Sequence, residues 1–144
     1  MKNYIKDDHS FADPNKALVK HLDWDATVDF DKKIISGTAS LTIEVFPRAE
    51  NLILDTKNLK ISKVTLNNGE EAVFHKSQED KILGAPLIID IKPSTTKVNI
   101  EYSTSPGAEA LQWLDPVQTA GGEKPFLFTQ SQAILARSWI PLHD

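Results

Sequence analysis

From Leu22 onward, apolar and polar side chains alternate with a period of two. Leu22, Trp24, Ala26, Val28 and Phe30 fall on one side, and Asp23, Asp25, Thr27 and Asp29 on the other. Past the short link DFDKK, Ile35, Ala39, Leu41, Ile43 and Val45 oppose Ser36, Thr38, Ser40, Thr42 and Glu44. Successive side chains on a strand point to opposite sides, so each segment has one face for a core and one for water. The short link predicts that the two pair as a long antiparallel hairpin. Shorter strands are predicted at 50–55, 60–67, 71–76, 85–91 and 96–103. Between two of them, NNG (67–69) carries the Asn-Gly signal of a tight hairpin turn, since both residues tolerate positive φ. Strands at this spacing, with hardly any helical periodicity, predict an all-β sandwich or a related pair of sheets.

The alternation breaks after Ser103. Residues 104–125 form a long segment without a regular pattern, punctuated by Pro and Gly. Loops of this length inside a domain are usually functional or disordered; Leu111, Trp113 and Leu114 predict that this one is pinned to the body. FLF (126–128) reads as a further strand and Ser131 to Trp139 as a short helical turn. Without repeats or low-complexity tracts, the chain is read as one domain over residues 1–144.

Composition narrows the function classes. The chain has 144 residues, 40% of them hydrophobic, enough for one core. Sixteen basic against twenty acidic residues give a net charge of -4, which argues against nucleic acid as a partner. The absence of cysteine rules out disulfides, thiolate metal sites and a thiol nucleophile. No apolar run approaches the roughly 18 residues of a membrane span. MKNYIKDDHS has no apolar stretch behind its lysine, so it does not read as a secretory leader and a cytoplasmic location is expected.

Little of the remaining chemistry survives scrutiny. His9, His21, His75 and His143 form no local ligand pair such as HxH or HExxH. Asp7 to His9 read as an exposed terminus. Asp23, Asp25 and Asp29 beside His21 suggest calcium less than the wet face of a strand. No pair of carboxylates stands out for glycoside hydrolysis. TAGGEK (119–124) lacks the spacing of a phosphate loop and the helix that should follow. Ser131 has no neighbouring base, and QSQ lacks the glycines of a nucleophile elbow. Gln130 and Gln132 are two apart, so on extended backbone they would point the same way, each offering amide donors and a carbonyl acceptor.

The order of motifs adds a resemblance. DDHSFADPNKALVKHLDWDATVDFDKKIISGTASLTIE followed by LQWLDPVQTAGGEKPFLFTQSQAILARSWIPLHD resembles the start of a zinc aminopeptidase. It looks most like the branch of leukotriene A-four hydrolase and the related bacterial aminopeptidases. The likeness runs from about His9 to the end and is most specific in LQWL, QTxG, the P-[FY]-LF-[ST]-Q-x-Q run and A-R-S.

This resemblance implies an amino-terminal, saddle-shaped all-β domain, an antiparallel or mixed β-sandwich that stops short of the family domain's usual end, where TP would follow Asp144. It implies that the catalytic equipment lies in a separate domain: an HExxH helix with a more distant Glu as third zinc ligand, a Glu base, a Tyr and a GxMEN strand. Zinc would therefore be bound outside residues 1–144, and this chain alone would hold no cofactor and be inactive. Peptide substrate and the parent's own catalytic domain are the implied partners, with no nucleic acid and no membrane. By the same resemblance Gln130, Ser131 and Gln132 would line the pocket for the first substrate residue. Gln132 stands where many relatives carry Glu and would act by neutral hydrogen bonds. Leu135, Leu142 and His143 depart from the usual His, Cys and Gln. Arg137 is expected to brace the loop through backbone or carboxylate contacts. The competing reading is a self-contained β-sandwich module for protein or carbohydrate, which would need exposed aromatic residues as a platform. Trp24, Trp113 and Trp139 are the only tryptophans available for one.

Overall fold

The structure, a computed structural model, describes residues 3–144. Met1 and Lys2, on which part of the leader reading rests, lie outside the described residues.

The predicted hairpin is the longest feature: β1 (Ala17–Asp29) pairs with β2 (Ile34–Val45) antiparallel along nearly its whole length. A turn at Phe30 to Lys33 joins them, with the Lys32 N–H held by Asp29 Oδ1 at 2.9 Å and Lys33 at positive φ. The next strands are β3 (Asn51–Thr56), β4 (Lys60–Leu66), β5 (Glu70–Glu71), β6 (Phe74–Lys76), β7 (Ala85–Asp90) and β8 (Lys97–Ser103). A five-stranded sheet runs β1-β2-β8-β4-β5, and a three-stranded sheet runs β3-β7-β6. Every strand pairing among the described residues is antiparallel.

Two local expectations change. The segment predicted as one strand at 71–76 is split between sheets. Ala72 N–H still bonds Val64 O of β4, whereas Val73 O accepts from Asp90 N–H of β7. At NNG, positive φ falls on Asn67 and Gly69 rather than on the Asn68-Gly69 pair, giving a three-residue loop between Leu66 and Glu70.

The register explains the core. Leu22, Leu41, Val98 and Leu66 lie side by side across the large sheet, as do Trp24, Ala39, Ile100 and Val64. Leu52, Leu54, Leu87 and Ile89 of the small sheet close over this face, and all four are buried. The opposite face carries Asp23, Ser40, Asn99 and Thr65 in one row, with Ser40 Oγ donating to Asn99 Oδ1 at 2.8 Å. Gly37 sits at a close approach within the hairpin: a Cβ there would lie 2.1 Å from the Asp25 carbonyl oxygen.

The small sheet covers only one end of the core face. At the other end the segment after Ser103 supplies the cover, and it is more regular than its sequence suggests. LQWL forms β9 (Leu111–Leu114), which pairs with β10 (Phe126–Thr129) as a two-stranded ribbon. A 3-10 turn at Pro116–Gln118 lies between them, and a second at Ala136–Ser138 closes the chain. Leu111, Ala108 and Ile35 form a second buried cluster with Trp113, Leu127 and Trp139 against it. The cover is incomplete, so Trp24, Val28 and Phe30 stay 38% exposed although they lie on the predicted core face.

Candidate functional site

The ribbon carries the glutamines at its tip. Leu127 and Trp113 are cross-strand partners turned toward the second cluster, so Phe126 and Phe128 point outward, at 55% and 47% exposure. Gln130 N–H donates to the Ala110 carbonyl at 2.9 Å, prolonging the ladder by one residue. Gln130 is therefore the third member of the outward row Phe126, Phe128, Gln130.

The chain then turns instead of staying extended. Gln130 Oε1 accepts the Gln132 N–H at 3.1 Å, and Leu135 N–H donates to the Ser131 carbonyl at 2.9 Å. The Gln132–Ala133 peptide is cis. Gln130 and Gln132 are both exposed, while Ser131 between them is half-buried. The two glutamines remain neighbours, but by a local turn rather than by strand periodicity. With its oxygen engaged by backbone, the Gln130 amide keeps its two N–H donors for other partners. Among the described residues the amide of the Gln132 side chain makes no hydrogen bond, so it offers donors and acceptor alike.

A chain of hydrogen bonds fixes this turn to the large sheet. Trp139 Nε1–H donates to Ser131 Oγ at 3.0 Å. The Tyr102 hydroxyl of β8 donates to the Trp139 carbonyl at 2.7 Å and accepts from Trp24 Nε1–H at 2.8 Å. The Trp24 and Trp139 rings meet edge to face, with centroids 5.4 Å apart. Trp113 in turn packs edge-on against Phe30. The tryptophans are thus consumed in packing and do not form an aromatic platform.

Burial pushes the Tyr102 phenol up to about 12, against a smaller downward pull from the Trp24 N–H. In the unfolded chain a tyrosine titrates near 10. The stability this creates is present below about pH 10 and is lost as pH rises through the folded value. We expect the 144-residue chain to lose stability between about pH 10 and 12, and Tyr102→Phe to flatten that part of the curve in pH-dependent urea unfolding.

Arg137 holds the far side of the turn and is fully buried. Its backbone N–H and Nε–H both donate to Asp144 Oδ2, at 3.1 and 3.0 Å. Nη1–H reaches the Leu83 carbonyl at 2.9 Å and Nη2–H the His9 carbonyl at 2.8 Å. Buried Asp55 lies 3.6 Å from Nη1 and accepts from Ser10 Oγ–H, Phe11 N–H and Asp144 N–H. The bracing role expected of Arg137 is present, and its reach is wider than the loop, since it joins both ends of the chain to β3. Gly84 shapes the carbonyl at Leu83: its φ is +80, and a Cβ would lie 2.2 Å from the Thr56 carbonyl.

Other candidates separate from this site. Asp23 pairs with His21 at 3.2 Å on the wet face, and Asp29 is used in the hairpin turn. No group of three metal-ligating side chains occurs among the described residues. TAGGEK borders a cleft of about 480 Å³ with Leu114 and Phe126, and Thr119 Oγ1 lies 2.7 Å from the Lys124 carbonyl. His143 is partly buried with Nε2 unpartnered, and burial pulls its imidazole below the usual value. Among the described residues, no helix is long and apolar enough to cross a membrane.

Reading residues singly missed Tyr102, Trp139, Asp55 and Asp144. The available signal was Tyr102, a hydroxyl at a core-face position of β8, which requires a buried partner.

The described residues thus form an antiparallel β-domain with two exposed glutamines on a braced turn at one end of a ribbon. The chain belongs to the Peptidase M1 N-terminal domain family, whose profile matches residues 18–144. Leukotriene A-4 hydrolase of Xenopus laevis is 42% identical over 97% of this chain, and leucine aminopeptidase 2 of Yarrowia lipolytica is 41% identical over 93%. Yeast LTA4 hydrolase, solved in complex with bestatin, superposes on 99% of this chain with a TM-score of 0.90 at 32% identity. The chain spans 24%, 20% and 23% of these three proteins, respectively.

Proposed function

We propose that this chain is the non-catalytic β-domain of a zinc metallo-aminopeptidase that removes amino-terminal residues from peptides. In this reading the domain packs on its own catalytic domain and presents Gln130, Ser131 and Gln132 to the substrate. The observation that carries it is the state of the two amides: exposed, adjacent and set on a turn braced from both sides. Gln130, with its oxygen held by the Gln132 N–H, donates to a substrate carbonyl. Gln132 keeps its oxygen free to accept from the substrate's terminal ammonium. Such contacts orient the first peptide bond, and orientation is itself a large part of catalysis. An HExxH helix outside this chain would hold the zinc, whose chemistry there would be activation of the hydrolytic water. The kinship with leucine aminopeptidase 2 supports the class of substrate.

The test compares the enzyme that carries this chain with the 144-residue chain alone, on a panel of aminoacyl-coumarins. We expect turnover by the whole enzyme, its loss on chelation and its return with zinc, and no turnover by the chain alone. Metal-dependent hydrolysis by residues 1–144 would overturn the non-catalytic assignment, and an inert whole enzyme would overturn the peptidase assignment.

A further inference from the structure

Trp139 is bonded on two sides, and the bonds run in one direction. The Trp24 indole donates to the Tyr102 hydroxyl, the hydroxyl to the Trp139 carbonyl, and the Trp139 indole to Ser131 Oγ. An indole N–H can only donate, so each tryptophan needs an acceptor in a fixed place. Tyr102 and Trp24 belong to β8 and β1 of the five-stranded sheet, so the series begins on the most extensively paired part of the molecule. It ends on the residue between the two glutamines. Ser131 is also where the turn closes, through its carbonyl and the Leu135 N–H, and Gln130 and Gln132 are bonded to each other directly around it. A second tie, from Ala110 N–H to Ser138 Oγ at 3.0 Å, joins the ribbon to the closing 3-10 turn beside Trp139.

We infer that Trp139 is a positioning residue for Gln130 and Gln132, seated by Tyr102 and Trp24 and acting through the Ser131 hydroxyl. The inference rests on the assignment of these glutamines as substrate contacts. Exposed glutamines on a free turn would sample many rotamers, and an error of about 1 Å in substrate placement costs up to about a hundredfold in rate. A single hydrogen bond at the midpoint of the turn limits both side chains at once.

The test uses Ser131→Ala, Trp139→Phe and the double variant in the enzyme that carries this chain. Trp139→Phe removes the indole donor and keeps an aromatic ring against Trp24. Each single variant lowers kcat/KM for aminoacyl substrates about three- to tenfold, the worth of one hydrogen bond. The double variant is no worse than the worse single, because both remove the same bond. A separate readout is the side-chain amide resonances of Gln130 and Gln132 in the 144-residue chain, which shift in both single variants. Additive effects, or a fall in thermal stability with kcat/KM unmoved, would overturn the positioning role. Should the whole enzyme prove inert, the substrate-contact assignment fails by itself. The resonances then decide: unchanged glutamine amides in both variants overturn the coupling, and shifted ones uphold it.

Discussion

Replacing Arg137 by Ala lowers the unfolding free energy of the 144-residue chain by about 3–5 kcal/mol, the cost of leaving a buried charge without its partner. Arg137 and Asp55 are both fully buried and 3.6 Å apart, and Asp144 accepts two of Arg137's hydrogen bonds. Removing the guanidinium strands two carboxylates and also the carbonyls of Leu83 and His9. A domain of ordinary stability holds about 5–15 kcal/mol in total, so the variant sits near the edge of folding. Arg137→Lys restores the charge but not the fork, because one ammonium cannot reach Asp144, Leu83 and His9 in their three directions. It should recover less than half of the loss. The double variant Asp55→Asn with Arg137→Met should exceed Arg137→Ala in stability, since it removes a buried charge along with its partner. Urea unfolding followed by tryptophan fluorescence measures all three. A loss below about 1 kcal/mol for Arg137→Ala would place the network with surface ion pairs that contribute little.

How much of this was legible beforehand depended on the range of the interaction. The β1–β2 hairpin announced itself because its pattern repeats over many residues and its loop is short. The core face of β1 was also read correctly from parity alone, as the row Leu22, Trp24, Ala26 shows. Exposure of Trp24, Val28 and Phe30 was not legible, because parity assigns a side and says nothing about what covers it. The break at Ala72–Val73 was hidden for a similar reason: each half continues a strand locally, and only the second sheet requires the crossing. LQWL looked like a pinned loop because β9 is four residues long and its partner lies beyond a Gly-rich turn.

The site shows the same division. Motif order singled out Gln130 to Gln132, and their types named the hydrogen bonds they could make. Period two suggested that they project together, whereas a side chain-to-backbone bond and a turn accomplish it. Tyr102 and Trp139 are 37 positions apart and Asp55 and Arg137 far more, and no sequence spacing encodes such meetings. A polar atom at a core position signals only that a partner must exist. Which partner is a property of the packed sheets.

On the proposed assignment of the glutamines as substrate contacts, Gln130→Ala with Gln132→Ala is expected to lower kcat/KM of the whole enzyme for aminoacyl substrates by about a hundredfold. The figure combines one hydrogen bond to a charged group, about 1.5–3 kcal/mol, with one neutral bond, about 0.5–1.5 kcal/mol, at 1.4 kcal/mol for each factor of ten. Gln130 also serves its own turn through Oε1, so truncation alone would confuse structure with binding. Gln130→Glu separates the two. A carboxylate keeps an oxygen for the Gln132 N–H and loses the amide donors, so stability holds while kcat/KM falls about tenfold. Gln132→Glu acts in the opposite direction. A carboxylate facing the substrate's ammonium makes a charge-assisted bond and lowers KM. That gain requires a protonated amine, and a peptide amino terminus titrates near 8. It is therefore present below about pH 8 and fades above it, while the wild-type amide, which carries no charge, lacks this added dependence. KM measured from pH 6 to 9 for both proteins shows the difference as curves that converge at high pH. A double alanine variant within threefold of wild type would remove the glutamines from the substrate pocket. Gln132→Glu curves running parallel to wild type across pH 8 would place the ammonium elsewhere.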